Sequence, residues 1–145
     1  MKRFRRDMQH QMPQAGTVYL VNGGGENFLA AVSIRHCNAT DISGCRAEAP
    51  NVPEPEYLTS ADPATDTIYA GNLSRPEIDV LNGATCRAGH LTGCAPVAKI
   101  PMPDPGANVG AVDEATHTLY ASDEASAGAL TVINTATCNA EDTSG

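Results

Sequence analysis

Three features of the sequence predict an all-β fold built from repeated small antiparallel sheets. Asp113 to Cys138, DEATHTLYASDEASAGALTVINTATC, repeats Asp62 to Cys86, DPATDTIYAGNLSRPEIDVLNGATC, and Met12 to Cys37 is a more divergent copy. Tyr19, Tyr69 and Tyr120 keep time with it, 50 and 51 residues apart. Such a period marks an array of supersecondary units. The apolar residues fall in short runs at alternate positions, a strand pattern, and no 3.6-residue period is found. With 13 Gly and 10 Pro in 145 residues, turns are frequent and long helices are disfavoured.

Residues 1–11, MKRFRRDMQHQ, are basic and polar and read as a solvated, poorly ordered arm. From Met12 the first copy, MPQAGTVYLVN, aligns with DPATDTIYAGN from Asp62 and DEATHTLYASD from Asp113. Pro63 fixes its own φ, and Asp62 and Asp113 can each accept a hydrogen bond from backbone two residues on, which is turn chemistry. Thr67 to Ala70 and Thr118 to Ala121 are then short β-favouring runs. The loops GGGEN, LSRP and EASAG follow them. A second run comes next, Glu77 to Asn82 and Ala129 to Asn134, with Ile78 and Val80, or Leu130 and Val132, on a face expected to be buried while the other stays wet. Val97 to Ile100 and Asn108 to Val112 supply further strands.

Four short strands in about fifty residues, then a restart, is the plan of a β-propeller blade. The expected domain is therefore 12–145, with blades at 12–56, 57–107 and 108–145, the last cut short. Two to three blades cannot close a ring of four to eight, so the ring is expected to be incomplete, with open sheet edges that invite self-association.

The net charge is -8, and the excess acid lies in the repeats, because Lys2, Arg3, Arg5 and Arg6 outweigh Asp7 at the start. An acidic body repels phosphate backbones, so nucleic acid is not expected as a partner. No run approaches the roughly 20 apolar residues of a membrane-crossing helix. The basic start lacks the apolar region that would make it a secretory signal, so either export takes another route or the true start lies upstream.

The five cysteines follow the repeat. Cys37 and Cys45 stand eight apart in CNATDISGC, Cys86 and Cys94 eight apart in CRAGHLTGC, and Cys138 opens CNAEDTSG, after which the pattern calls for another cysteine. The expectation is two structural disulfides, Cys37 with Cys45 and Cys86 with Cys94, and a Cys138 left unpaired by truncation. Each bridge would add ~2.5 kcal/mol through loop closure. Repeated pairs point to an oxidising compartment, outside the cell or at its surface. A metal site is the rival, since His36 adjoins Cys37 and His90 lies between Cys86 and Cys94. A reused metal site should reuse its histidine, yet Asp41 and Asp142 occupy the place of His90 in the other copies.

These phrases resemble the YVTN-type β-propeller repeat family of bacterial exported and surface proteins. Its blades carry a phrase like D-P-x-T-x-T-V-Y-V-A-N followed by a strand ending V-I-N or V-I-D. Asp62, Pro63, Thr65, Thr67, Tyr69, Ala70 and Asn72 match the first phrase, as do Asp113, Thr116, Thr118, Tyr120 and Ala121. Val132, Ile133 and Asn134 match the second, and Cys37 to Cys45 is similar to the cysteine-bearing variety of the repeat. The first copy departs from the pattern at Met12, Ser33, Arg35 and His36. The resemblance implies a scaffold at or beyond the cell surface. The same architecture also hosts lactonase-like hydrolases, so the fold does not choose between them.

Catalytic candidates are sparse. A residue repeated from copy to copy, as Asp62 is in Asp113, reads as framework, whereas a catalytic residue breaks the repeat. His10, His36, His90 and His117 each belong to one copy, but none has a recurring acidic or nucleophilic neighbour. The sequence contains no nucleophile elbow, P-loop, dinucleotide fingerprint or H-E-x-x-H, so no cofactor is implied. Asn38 and Asn72 head glycosylation sequons. The reading is a non-enzymatic binding scaffold whose loops meet a protein, glycan or small ligand, with a lactonase-like hydrolase fragment as the alternative.

Overall fold

The computed structural model describes residues 16–22, 28–46, 56–72, 74–123 and 129–145. The expectation for the arm, 1–11, falls outside them. The described residues form nine strands and no helix, in three antiparallel sheets whose strands follow chain order. β1 (Thr17–Asn22) pairs with β2 (Phe28–Ser33). A four-stranded sheet holds β3 (Glu56–Asp62), β4 (Thr67–Asn72), β5 (Glu77–Asn82) and β6 (Ala98–Pro101). The last sheet holds β7 (Ala107–Asp113), β8 (Thr118–Asp123) and β9 (Leu130–Asn134). No closed ring is present among the described residues.

The turns form as their residues dictate. Asp62 Oδ1 accepts from the backbone N–H of Ala64 at 3.0 Å, and Asp62 Oδ2 from the Thr65 hydroxyl at 3.0 Å. Asp113 does the same with Ala115 (3.0 Å) and Thr116 (2.8 Å). The residue before each following strand has positive φ: Gly16 at 74°, Asp66 at 48° and His117 at 52°. Its carbonyl then accepts from the chain leaving the next strand: Ile34 N–H to Gly16 (2.9 Å), Gly83 N–H to Asp66 (2.7 Å) and Thr135 N–H to His117 (2.9 Å). Three unlike residues thus share one backbone conformation. Gly enters it freely, and Asp and His rank among the side chains that tolerate it best.

Two apolar clusters lie between the sheets. The first joins Tyr19, Leu29 and Ala31 to Ile68, Ala70, Leu81, Cys86 and Cys94. The second joins Tyr69, Ile78, Val80, Ile100 and Met102 to Ala107, Val109, Leu119, Ala121, Ile133 and Cys138. A side chain such as Ile68, Ile78 or Leu81, fully buried here, contributes about 1.5–3 kcal/mol.

Burial corrects the expectation that each second strand has one wet face. In β5 both faces are covered, since Ile78 and Val80 pack toward β7–β9 while Leu81 packs toward β1–β2. In β9 the expected buried pair is the exposed one: Leu130 is 64% and Val132 60% exposed, while Ile133 is buried. Both strands have the same sequence pattern. The difference arises from the neighbouring sheet, which covers the Ile78 face of the middle unit and which the described residues do not supply for the last.

Candidate functional site

The recurring residues gather at one end of the sheets, where the Asp turns adjoin the cysteine loops. Cys37–Cys45 and Cys86–Cys94 are disulfide-bonded, the second between β5 and β6. The four thiols that the metal reading would have used are therefore bonded to one another. A backbone hydrogen bond closes each loop, Gly44 N–H to His36 O (2.7 Å) and Gly93 N–H to Thr85 O (3.1 Å). The third loop has the same bond, Gly145 N–H to Thr137 O at 2.8 Å, without a second cysteine. Cys138 is free and buried, and burial, helped by the charge of Asp142, pushes its thiol above the ordinary range. It is a protonated core residue at neutral pH, not a nucleophile.

Asn38 and Asn139 fold two of these loops identically. Asn38 Oδ1 accepts from the backbone N–H groups of Thr40 (2.9 Å) and Asp41 (3.0 Å), and Asn139 Oδ1 from Glu141 and Asp142, both at 2.8 Å. Each Nδ2 returns to a carbonyl four residues back, Ile34 at 3.0 Å and Thr135 at 2.7 Å. Since Asn139 does this outside any sequon, the Asn38 amide is explained by the loop itself. Asn72 is fully buried, its Oδ1 accepting from the Ser74 and Arg75 N–H groups at 3.0 Å, which removes it as a glycosylation acceptor in the folded chain.

Neighbouring sheets are clamped by two recurring bonds. Tyr19 donates its hydroxyl to the Cys86 carbonyl at 2.5 Å, and Tyr69 to the Cys138 carbonyl at 2.8 Å. Ala88 N–H donates to Thr17 Oγ1 (3.3 Å) and Ala140 N–H to Thr67 Oγ1 (2.9 Å). Burial first, and then nearby Asp66 and Asp62 respectively, holds the phenols of Tyr19 and Tyr69 far above their ordinary pKa. They act as fixed donors.

The histidines that break the repeat do not converge. His36 Nδ1 lies 3.2 Å from Asp41 Oδ2 at the surface. His90 exchanges backbone hydrogen bonds with Arg87 at 2.8 and 3.0 Å. His117 fills the positive-φ turn position, and His10 lies outside the described residues. No group of three or more His, Cys, Asp or Glu suited to a metal occurs among the described residues.

One cluster unique to a single copy escaped the sequence reading. Across β5 and β6, Asp79 faces Lys99 in register. Lys99 Nζ lies 2.6 Å from Glu77 Oε1 and 3.3 Å from Asp79 Oδ1, with Arg75 Nη1 3.6 Å from Glu77 Oε1. Asp79 is completely buried, and Thr131 and Ala30 stand at its place in the other copies. The hydrogen bond from Lys99 to Glu77, and then Asp79, raise the Lys99 pKa against the opposing effect of burial. Two carboxylates and two cations balance, and the lysine stays charged, so the cluster supplies an ion-pair network and no free base or nucleophile. Only the β5–β6 register brings its members together, and the sequence alone does not give that register.

Set beside known proteins, the chain matches no family model, and no curated protein shows significant similarity to it.

Proposed function

We propose that this chain is a non-enzymatic repeat module of an exported β-propeller of the YVTN type, with a loop-bearing end that binds a protein, glycan or small ligand. One observation carries the reading: the connections between strands divide by end. At the turn and cysteine end Asp62 with Asp113, Thr67 with Thr118 and Asn38 with Asn139 recur and hold the loops together. The connections at the opposite end of the strands, 23–27, 73–76 and 124–128, share no common sequence. Connections whose sequence changes from repeat to repeat, while the sheets they join do not, are where a scaffold varies its binding surface. The two disulfides favour an oxidising, extracellular setting.

Thiol labelling of the natively expressed protein in denaturant without reductant tests the exported reading. Cys138 alone is expected to react, and labelling of Cys37, Cys45, Cys86 and Cys94 would sink it. Lactone hydrolysis that disappears on adding a chelator would replace the scaffold with a hydrolase.

A further inference from the structure

The chain states its own docking rule twice. A sheet presents Tyr, Thr and two apolar residues of its second strand to the next sheet, which answers with a β-branched or Leu residue, an Ala, a second apolar residue, a Cys carbonyl and an Ala N–H. In the first instance Tyr19, Leu29 and Ala31 meet Ile68, Ala70, Leu81 and Cys86. In the second Tyr69, Ile78 and Val80 meet Leu119, Ala121, Ile133 and Cys138. The Tyr-to-Cys-carbonyl and Ala-amide-to-Thr bonds accompany both.

The presenting half of the rule also occurs unused, and so does the answering half, with Leu20 in place of its Ala. The last sheet presents Tyr120 (38% exposed), Leu130 and Val132, the register equivalents of Tyr69, Ile78 and Val80, with nothing described against them. The first sheet holds Val18, Leu20 and Val32 at the places of Ile68, Ala70 and Leu81. All three are half-buried, whereas their counterparts are fully buried. Beside them Cys37 is half-buried and Ala39 exposed, although Cys86 and Cys138 are buried in the other loops.

We infer that the Leu130–Val132 face of one copy docks on the Val18–Leu20–Val32 face of a second copy, head to tail. In that contact the Tyr120 hydroxyl donates to the Cys37 carbonyl of the second copy, and its Ala39 N–H donates to Thr118 Oγ1. The inference rests on the two internal contacts and not on the binding function proposed above. It also differs from edge pairing, because apolar faces carry it and the ladder hydrogen bonds of the edge strands do not. Two copies contribute six sheets of described residues, within the four to eight that close a propeller ring, so the expected assembly of the 145-residue chain by itself is a closed dimer.

Sedimentation velocity of the 145-residue chain over a micromolar concentration series tests this. The wild type is expected to move from monomer to dimer. Val132→Asp and Leu20→Asp, each checked for unchanged far-ultraviolet circular dichroism, should each weaken the dimer. Their equimolar mixture should recover a heterodimer, because one intact face remains on each partner. Tyr120→Phe, exposed enough to leave the fold intact, removes one hydrogen bond from each of the two contacts of the closed dimer and should raise the dissociation constant by about a hundredfold. A wild type that stays monomeric overturns the inference. So does a dimer weakened by Val132→Asp and untouched by Leu20→Asp, which would mean two Tyr120 faces meeting, and so does one indifferent to both, which would mean pairing through edges.

Discussion

Replacing Tyr69 by Phe isolates the clamp between the second and third sheets. The ring stays, so the apolar contacts of a fully buried side chain are retained, and only the 2.8 Å bond to the Cys138 carbonyl is lost. A net hydrogen bond is worth about 1 kcal/mol, and stranding a buried acceptor adds about 1–3 kcal/mol before relaxation, so a loss of about 2 kcal/mol is expected. For a chain of this size that lowers the melting temperature by about 4–8 °C. Tyr120→Phe is the control: the same chemical change, at the equivalent position, on a ring 38% exposed. In the monomer it should stay within about 0.5 kcal/mol. Urea unfolding followed by circular dichroism, at concentrations where the chain is monomeric, reads both. Equal effects for the two variants, or none for Tyr69→Phe, would refute the argument that the inter-sheet hydroxyl bond stabilises the array.

Other outcomes follow from the same geometry. Gly93→Ala sets a Cβ onto the Cβ and hydroxyl of Thr85 and 3.1 Å from the Thr85 carbonyl, so a loss of about 1–3 kcal/mol in urea is expected, and Thr85→Ala, which keeps that Cβ, should not relieve it. Lys99→Ala leaves the buried Asp79 carboxylate without its cation. With Lys99 itself 39% exposed, solvent screens the pair, and the loss should be about 1–3 kcal/mol, partly recovered when Asp79→Asn is added. Asp41, Asp113 and Asp142 are held below the ordinary carboxylate range, chiefly by the hydroxyls of Ser43, Thr116 and Ser144, with Asp41 near 2. Because their folded pKa values lie beneath the unfolded ones, the stability they add is present above about pH 4 and fades as pH falls through the folded values. The urea midpoint should therefore drop between pH 4 and pH 2, less steeply in Asp41→Asn.

What was legible in the sequence was whatever the local chain decides. β5 runs over Glu77–Asn82 as its alternation predicts, the Asp62 and Asp113 turns form through their own side chains, and the eight-residue cysteine spacing closes into disulfides. What stayed hidden depends on partners distant in sequence. Leu130 and Val132 share a pattern with Ile78 and Val80, yet their burial is set by an adjacent sheet. β3 (Glu56–Asp62) lacks the alternation that marks a strand in sequence, although it pairs with β4. Asp79 and Lys99 lie twenty residues apart and meet only through strand register. His117 is unique to its copy as a site residue would be, but its place is chosen by a positive φ it shares with Gly16 and Asp66, a constraint that side-chain identity does not display.

The clamps also set the order in which the molecule opens. Each ties one sheet only to the next, so cooperativity passes between nearest neighbours, as in other repeat arrays. Among the described residues the β3–β6 sheet is held from both sides, by Tyr19 at Cys86 and by Tyr69 at Cys138, while each flanking sheet is held from one. Amide exchange should therefore be slowest at Ile68 to Ala70 and Ile78 to Leu81, with β1–β2 and β7–β9 exchanging through lower-energy openings that leave the middle intact. Heat or a protease would meet the array as a centre with two detachable flanks, and joining those flanks across a second copy would give every sheet the protection that one now has alone.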